Sequence, residues 1–148
     1  MCPWNKIRLY GKILTVSDGV AVGKREDISG RNLQNILEGS GWIVTERKVV
    51  KDGVDSVAGA LLTLAKDFHG LIVTTGGTGF GPRDQTPEGT RRVIEREAPG
   101  LAEAMRLANP LGRLSRAVAG TVAASLVLNV PGSAKGSVEC LEAVLDIV

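Results

Sequence analysis

The amino-acid sequence predicts one α/β domain, residues 1–148, with a mainly parallel sheet that is covered by helices. Short runs rich in valine, isoleucine and threonine alternate along the chain with segments whose apolar residues recur at helical spacing. No long linker, repeat or low-complexity tract interrupts this alternation. A chain of 148 residues that is 43% hydrophobic is long enough to bury one well-formed core.

Each predicted element follows from a local pattern. Runs of β-branched residues predict strands over residues 12–17, 42–50, 71–75, 118–122 and 125–130. Helical spacing predicts helices from 29 to 39 or 41 and over 54–68, 87–97, 101–108 and 137–148. Ser29, Thr86 and Ser137 are predicted to begin three of these helices, and residues 20–27 and 109–113 to be loops. Because the carboxyl ends of parallel strands meet at one edge, the loops at 17–18, 76–84 and 131–137 should lie together.

The most informative stretch is LIVTTGGTGFGPRD at residues 71–84. A buried strand stops there at Gly76 and Gly77, and glycines allow positive φ and a close approach of backbone amides to an anion. Asp84 follows, and then a Thr-Pro-Glu helix start. The pattern indicates a phosphate or nucleotide site, although such glycines can also merely turn the chain. It is not a P-loop, since no Gly-Lys-Ser/Thr occurs.

Charged residues near the predicted edge have both a functional and a plain interpretation. Asp52 and Asp84 offer the oxygen ligands that Mg²⁺ prefers beside substrate phosphates, but Asp52 also fits a turn and Asp84 a helix cap. Asp18 in its Asp-Gly pair fits a turn better than a site. Arg116 and Lys135 lie beside loop serines and are candidate anion contacts, while solvation is the plain alternative.

Composition excludes several classes of function. A net charge of +2 and five aromatic residues provide neither a basic face nor a stacking platform, so a nucleic-acid polymer is not expected as a partner. Cys2 and Cys140 form no CxxC pattern, which argues against a zinc site or disulfide framework, and Cys140 is predicted to lie in the core. His69 is the one histidine and fits a surface turn. No signal peptide or membrane span is evident, so a cytoplasmic location is expected.

Several motifs occur in a characteristic order. They are ILTVSD (13–18), DISG (27–30), TTGGTG (74–79), PRDQTPE (82–88), EREAPG (95–100), LSR (114–116), and NVPGS (129–133) followed by KGS (135–137). Together they resemble the molybdopterin adenylyltransferase family of molybdenum-cofactor biosynthesis, the Mog/MoaB type, and are similar to the G domain of gephyrin. The resemblance covers residues 12–148.

The resemblance implies a three-layer α/β/α sandwich, the molybdopterin-binding fold, assembled as a homotrimer. It implies transfer of AMP from Mg·ATP to the terminal phosphate of molybdopterin with release of pyrophosphate. The adenylylated pterin then passes to a molybdate-inserting partner enzyme. The same resemblance leaves a non-catalytic molybdopterin carrier or assembly subunit, and a trimeric scaffold, as alternatives. Magnesium-dependent pyrophosphate release separates the enzyme from both.

The family's functional residues match named positions of this chain. Its two catalytic aspartates match Asp52 and Asp84, which are also the candidate Mg²⁺ ligands. Its nucleotide- and pterin-holding loops match a longer set. The predicted substrate-binding residues are Ser17, Asp18, Thr75, Gly76, Gly77, Thr78, Gly79, Ser115, Arg116, Pro131, Gly132, Ser133, Lys135 and Ser137.

Overall fold

One sheet organises the computed structural model, which describes residues 7–148. Its six strands in the described part are β1 (Leu9–Val16), β2 (Trp42–Val50), β3 (Gly70–Thr75), β4 (Arg96–Glu97), β5 (Ala119–Val122) and β6 (Ser125–Val130). Their order across the sheet is β2-β1-β3-β6-β5-β4. The first four strands of that order are parallel; β5 then pairs antiparallel with β6, and β4 pairs antiparallel with β5 at the edge. The predicted mainly parallel sheet is confirmed.

Helices connect the strands. In chain order they are α1 (Asp18–Ala21), α2 (Ile28–Gly39), α3 (Val54–Ala65), α4 (Thr86–Val93), α5 (Pro99–Arg106) and α6 (Ala134–Glu142), with a 3₁₀ helix at Pro110–Leu114. Among the described residues, no helix combines the length and the apolar character needed to cross a membrane.

Two apolar layers hold the helices against the sheet because successive strand residues point to opposite faces. One layer packs strand residues against α2, α5 and α6, and the other packs the alternate residues against α3. The first contains Ile13, Val73, Leu128, Leu33, Leu37, Met105 and Leu141, and the second contains Leu14, Ile72, Val127, Val57, Leu61 and Leu64. This arrangement is the expected α/β/α sandwich, with an aliphatic core.

Cys140 lies in the first of these layers, as predicted, and burial raises the pKa of its thiol to about 11. The thiol therefore stays protonated at neutral pH. Cys2 lies outside the described residues.

The strand order places a crevice at a defined point of the sheet. From β1 the chain moves outward to β2, whereas from β3 it moves the other way to β4 at the opposite edge of the sheet. Adjacent loops after β1 and β3 therefore leave on opposite faces of the sheet and separate. Open α/β sheets bind ligands at such a switch point, beyond the carboxyl ends of the strands.

Three predicted helix starts are wrong in detail. Asp27, rather than Ser29, caps α2 and accepts a hydrogen bond from the Gly30 amide. Ser133 caps α6, which begins three residues before Ser137. Thr86 is the first residue of α4, and its side chain bonds outside the helix. The Ser29 hydroxyl instead accepts from the Thr75 hydroxyl and the Thr86 hydroxyl donates to the Gly76 carbonyl oxygen, contacts that sequence spacing does not reveal.

Three predicted segments adopt other structures in whole or in part. The helix expected over 87–97 ends at Val93, because the following residues pair with β5 as the short strand β4. Gly120 permits this pairing, since a Cβ there would lie 2.5 Å from the Arg96 carbonyl oxygen. The loop expected over 109–113 is largely the 3₁₀ helix, whose Leu111 amide donates to the Asn109 side chain at 2.9 Å. The expected loop over 20–27 begins inside a one-turn helix, α1, which includes residues 20 and 21.

Candidate active site

The glycine loop begins where β3 reaches the crevice. Gly76 has φ +100° and Gly77 has φ +70°, a region that residues with a side chain rarely adopt. A Cβ on Gly76 would lie 2.2 Å from the Val16 carbonyl oxygen, so glycine is required for β3 and β1 to end side by side. The Gly76 amide donates to the Val130 carbonyl oxygen at 3.1 Å and is therefore part of the sheet edge. The Gly76 amide is thus bound to a protein acceptor in this structure, and the expected contact of Gly76 with substrate stays a prediction.

The next three residues differ from Gly76 in their hydrogen bonding. Within the part of the chain that the structure describes, the amides of Gly77, Thr78 and Gly79 donate to no protein acceptor. Their carbonyl groups do have partners: the Thr86 amide donates to Gly77 at 3.1 Å and the Arg116 amide to Thr78 at 2.9 Å. The loop is thus held through its carbonyls and leaves three amides for a ligand, which is the arrangement of an anion cradle.

The Arg116 guanidinium holds the same loop. It donates to the carbonyl oxygens of Gly79 at 2.8 Å and Asp84 at 2.7 Å, and it pairs with the Glu88 carboxylate. Its donors therefore bind protein acceptors in this structure. The expected contact of Arg116 with substrate stays a prediction, beside an evident role in shaping the loop.

Asp84 closes the loop. One of its carboxylate oxygens accepts a hydrogen bond from the Gly81 amide at 2.9 Å. The same oxygen lies 3.0 Å from the position that a Cβ on Gly79 would occupy. The residues from 79 to 84 thus wrap closely around this carboxylate and leave no space for side chains at the two glycines.

Asp52 lies beyond the end of β2 and faces the glycine loop. Its Oδ1 is 3.3 Å from where a Cβ on Gly77 would lie, and its Oδ2 accepts a hydrogen bond from the Asp18 amide at 2.9 Å. Burial raises the pKa of Asp52, and the negative charges of Asp18 and Asp84 act in the same direction. Arg83 opposes them. Asp52 is therefore a partly buried carboxylate held near two others, as functional sites often require.

Two cavities open at this edge of the sheet. A polar cavity of about 750 Å³ lies over the ends of β1 and β3 and is lined by Asp52, Asp84 and the capping residue Asp27. A more apolar cavity of about 690 Å³ lies between the glycine loop, the 3₁₀ helix and α6, with Leu111 and Leu114 in its wall. Both volumes fall within the range of roughly 300–1,000 Å³ that is usual for small-molecule sites.

The two cavities share a rim. Gly77, Asp84, Gly132 and Ser133 line both of them. Ser133 is also the cap of α6, so the positive end of that helix lies at the rim. The shared rim therefore combines free amides, a helix N-terminus and a carboxylate, and it can hold phosphate groups together with a cation.

Most of the predicted site residues line one cavity or the other. Those lining a cavity are Ser17, Asp52, Thr75, Gly76, Gly77, Thr78, Gly79, Asp84, Ser115, Pro131, Gly132, Ser133 and Lys135. Asp18, Arg116 and Ser137 line neither. Ser137 is fully buried, and its hydroxyl donates to the Ala134 carbonyl oxygen, so it belongs to the start of α6. Its substrate contact stays an untested prediction with no support from this geometry.

Several residues that shape the site are not singled out as site residues by the sequence alone. Asp27 is almost buried, accepts from Thr15 and Arg47, and forms part of the polar wall. Its position in the DISG motif is the available signal. For Leu111 and Leu114 the sequence contains no such signal, because their role depends on the path of the 3₁₀ helix across the cavity.

The described residues contain no cluster of three or more histidine, cysteine or acidic side chains that could hold a metal ion by themselves. Asp52 and Asp84 nevertheless line the same polar cavity, and their charges repel each other. Two carboxylates beside a phosphate cradle fit Mg²⁺, which keeps water ligands and takes others from the substrate.

Solved structures share this architecture and place the chain in a class. The molybdopterin biosynthesis enzyme MoaB from Thermus thermophilus matches with a TM-score of 0.88 and 42% identity, covering 95% of this chain and 91% of that chain. The tungsten cofactor synthesizing protein MoaB from Pyrococcus furiosus matches with a TM-score of 0.83 and 30% identity, covering 94% and 91%. The fold is that of the molybdopterin-binding α/β proteins.

Sequence comparison gives the family. The family model described as a probable molybdopterin binding domain matches residues 12–148. The molybdopterin adenylyltransferase of Helicobacter pylori strain J99 is 37% identical over 145 residues, which cover 92% of this chain and 81% of that protein. The chain belongs to the molybdopterin-binding domain family of molybdenum-cofactor biosynthesis. The family and the enzyme class predicted from the ordered motifs are confirmed.

Proposed function

We propose that this chain transfers AMP from ATP to the terminal phosphate of molybdopterin and releases pyrophosphate. The observation that carries the proposal is the rim shared by two cavities. Two ring-bearing substrates that each occupy one cavity can bring their phosphates together at this rim, where Gly77, Asp84 and Ser133 lie. The name of the Helicobacter pylori relative supports the same reaction.

Positioning provides most of the catalysis in this proposal. A phosphate is already a nucleophile, so the protein has to align it with the α-phosphorus of ATP and stabilise the departing pyrophosphate. The amides of Gly77, Thr78 and Gly79 and the N-terminus of α6 would bind phosphate oxygens. The carboxylates of Asp52 and Asp84 would hold Mg²⁺, directly or through water. When bound, Mg²⁺ neutralises charge on the phosphates.

The two cavities suit two different ring systems. Leu111 and Leu114 offer an apolar surface on which a flat ring can pack. The acidic wall near Asp27 can accept hydrogen bonds from ring or amino N–H groups. Lys135 lies on the apolar cavity with its side chain largely exposed, so its ammonium can move onto a bound phosphate.

Assembly and location belong to the same proposal. The family resemblance supports a homotrimer in the cytoplasm that passes the adenylylated pterin to a molybdate-inserting partner enzyme.

The decisive experiment measures pyrophosphate release from ATP in the presence of molybdopterin, with Mg²⁺ and with a chelator. We expect release only with Mg²⁺. Asp84→Asn and Asp52→Asn should each lower turnover on the order of 10²-fold or more, because each removes a charge that holds the metal.

Asp55→Asn is the matched control, since Asp55 is a highly exposed aspartate on α3 outside both cavities. Its turnover should equal that of the parent. Binding of both ligands by the parent without pyrophosphate release would reject the enzyme and favour the carrier. Parent-like turnover in Asp84→Asn would remove Asp84 from the mechanism.

A further inference from the structure

We propose that Arg83 and Asp18 act together as a clamp that positions the Asp52 carboxylate, and that neither residue contacts substrate. The clamp is defined as the side chains of Arg83 and Asp18 with their contacts to Asp52. The proposal rests on the proposed function, because it assigns these residues a part in the same site.

The clamp joins three loops at the sheet edge. Arg83, in the loop after β3, donates from Nε to Asp18 Oδ2 at 3.1 Å and from Nη2 to Asp18 Oδ1 at 3.2 Å. Its Nη2 also donates to the Asp52 carbonyl oxygen at 2.9 Å. One guanidinium thus holds Asp18, just beyond the end of β1, and Asp52, just beyond the end of β2. Such fork geometry is specific to arginine.

Asp18 and Asp52 are also joined directly. The Asp18 amide donates to Asp52 Oδ2 at 2.9 Å, and the Asp52 amide donates to Asp18 Oδ1 at 3.1 Å. This reciprocal pair fixes both the backbone and the carboxylate of Asp52. Both oxygens of Asp18 are engaged by Arg83, and Asp18 lines neither cavity. These contacts favour a positioning role for Asp18 in place of the substrate contact expected from the motif.

Contacts from neighbouring residues are needed to hold the Asp52 carboxylate in place. It lies in the short bend between β2, an edge strand, and α3, and Gly53 beside it has φ +131°. Its carboxylate faces those of Asp84 and Asp18, which repel it. The hydrogen bond from the Asp18 amide and the positive charge of Arg83 oppose that repulsion and hold the carboxylate toward Gly77.

The clamp is too exposed to serve mainly as a stabilising ion pair. The Arg83 and Asp18 side chains are 59% and 47% exposed, and exposed pairs contribute little to stability. A role in positioning therefore predicts a loss of catalysis without a matching loss of stability. The Arg91–Glu97 pair, 55% and 43% exposed and outside both cavities, provides a matched control.

The test compares Arg83→Gln, Arg83→Lys, Asp18→Asn and the double variant Asp18→Asn/Arg83→Gln with Arg91→Gln. We expect kcat for pyrophosphate release to fall at least about tenfold in Arg83→Gln and Asp18→Asn, because a displaced metal-holding group disturbs alignment. KM for ATP and for molybdopterin should stay within about twofold. The double variant should be no slower than the slower single variant, since both substitutions break one unit. Arg83→Lys should recover only part of the loss, and Arg91→Gln should match the parent.

A second measurement separates the clamp from the proposed reaction. Mn²⁺ is titrated into each protein with the non-hydrolysable α,β-methylene analogue of ATP, and bound Mn²⁺ is followed by electron paramagnetic resonance. Weaker Mn²⁺ binding in Arg83→Gln and Asp18→Asn, but not in Arg91→Gln, supports the clamp even if the parent releases no pyrophosphate. If the parent releases no pyrophosphate but these two variants bind Mn²⁺ more weakly, the proposed function is wrong and the clamp is still supported.

Three results would overturn the proposal. The first is parent-like kcat and Mn²⁺ affinity in Arg83→Gln. The second is full recovery in Arg83→Lys, which would mean that charge alone matters. The third is a raised KM with unchanged kcat, which would mean that Arg83 or Asp18 contacts substrate directly.

Discussion

Gly77 shows how a single residue combines two requirements. Its φ of +70° disfavours a side chain, and a Cβ would lie 2.2 Å from Thr86 Oγ1. Gly41, in the turn before β2, has φ +89° but open space around it. The two glycines therefore share a backbone requirement and differ in steric surroundings.

Gly77→Ala should damage the site more than Gly41→Ala damages the fold. Each substitution costs roughly 1–2 kcal/mol for the left-handed backbone conformation. Only Gly77→Ala also displaces the Thr86 hydroxyl and crowds Asp52. Calorimetric titration should show weaker binding of ATP or molybdopterin in Gly77→Ala and parent-like binding in Gly41→Ala. Equal binding in both variants would show that the glycine loop only turns the chain.

Asp52 is expected to lower stability where it is charged. Burial, followed by the neighbouring carboxylates Asp18 and Asp84, raises its pKa in the folded protein above the ordinary value of 3.8. The folded state then binds the proton more tightly than the unfolded chain does. The free energy of unfolding therefore falls as pH rises from about 4 through the raised pKa, and it stays lower at neutral pH.

Asp52→Asn should remove this penalty. Urea unfolding, followed by the fluorescence of the buried Trp42, should show a variant that is more stable than the parent at pH 7. The difference in the free energy of unfolding should shrink toward pH 4, because Asp52 in the parent becomes protonated as the pH falls. Asp146→Asn, at an exposed aspartate, should show no such pH-dependent difference. A variant less stable than the parent at pH 7 would contradict the burial argument.

Among the elements, α4 links the core to the glycine loop through a buried chain of hydrogen bonds. Asn129 on β6 donates to Thr74 at 2.9 Å and to Thr90 at 3.0 Å. The Thr90 hydroxyl donates to the Thr86 carbonyl oxygen, and the Thr86 hydroxyl donates to the Gly76 carbonyl oxygen, both at 2.8 Å. These four side chains are fully buried. The chain of bonds therefore sets the position of α4 relative to the end of β3.

Thr86→Val should break the last link of this chain. The substitution preserves shape but leaves the Gly76 carbonyl oxygen without its hydroxyl partner, at a cost of about 1–3 kcal/mol of stability. Turnover should fall as well, because Gly77 and Asp84 lie on the segment between β3 and α4. Thr86→Ser restores the hydroxyl and should recover most of the activity.

Thr63→Val is the control for that substitution. The Thr63 hydroxyl also donates to a carbonyl oxygen, that of Gly59, but on the exposed side of α3. Its loss should change neither turnover nor stability by much. If Thr86→Val and Thr63→Val behave alike, the buried chain of bonds has no special part in the site.

The elements that could be predicted are those determined by local pattern. The bounds of β2 agree with the predicted 42–50, and the glycine loop and both aspartates meet at the expected edge. The short strand β4 could not be predicted, because it depends on pairing with β5. Arg83 could not be singled out for a similar reason: its partners are 65 and 31 positions away in the chain.

For the whole molecule, the family resemblance predicts a trimer. Light scattering should report a mass three times that of the 15.5 kDa chain. A monomer that persists at micromolar concentration would contradict the prediction.

The shared rim also affects the fate of the product. On the proposed assignment, the two substrates become one molecule that still occupies both cavities after pyrophosphate leaves. Its second half binds at a high effective concentration, so the product should dissociate more slowly than either substrate. Departure of the product would then limit turnover. Such a protein would keep its product bound in the two cavities until an acceptor protein binds one half of the product and removes it.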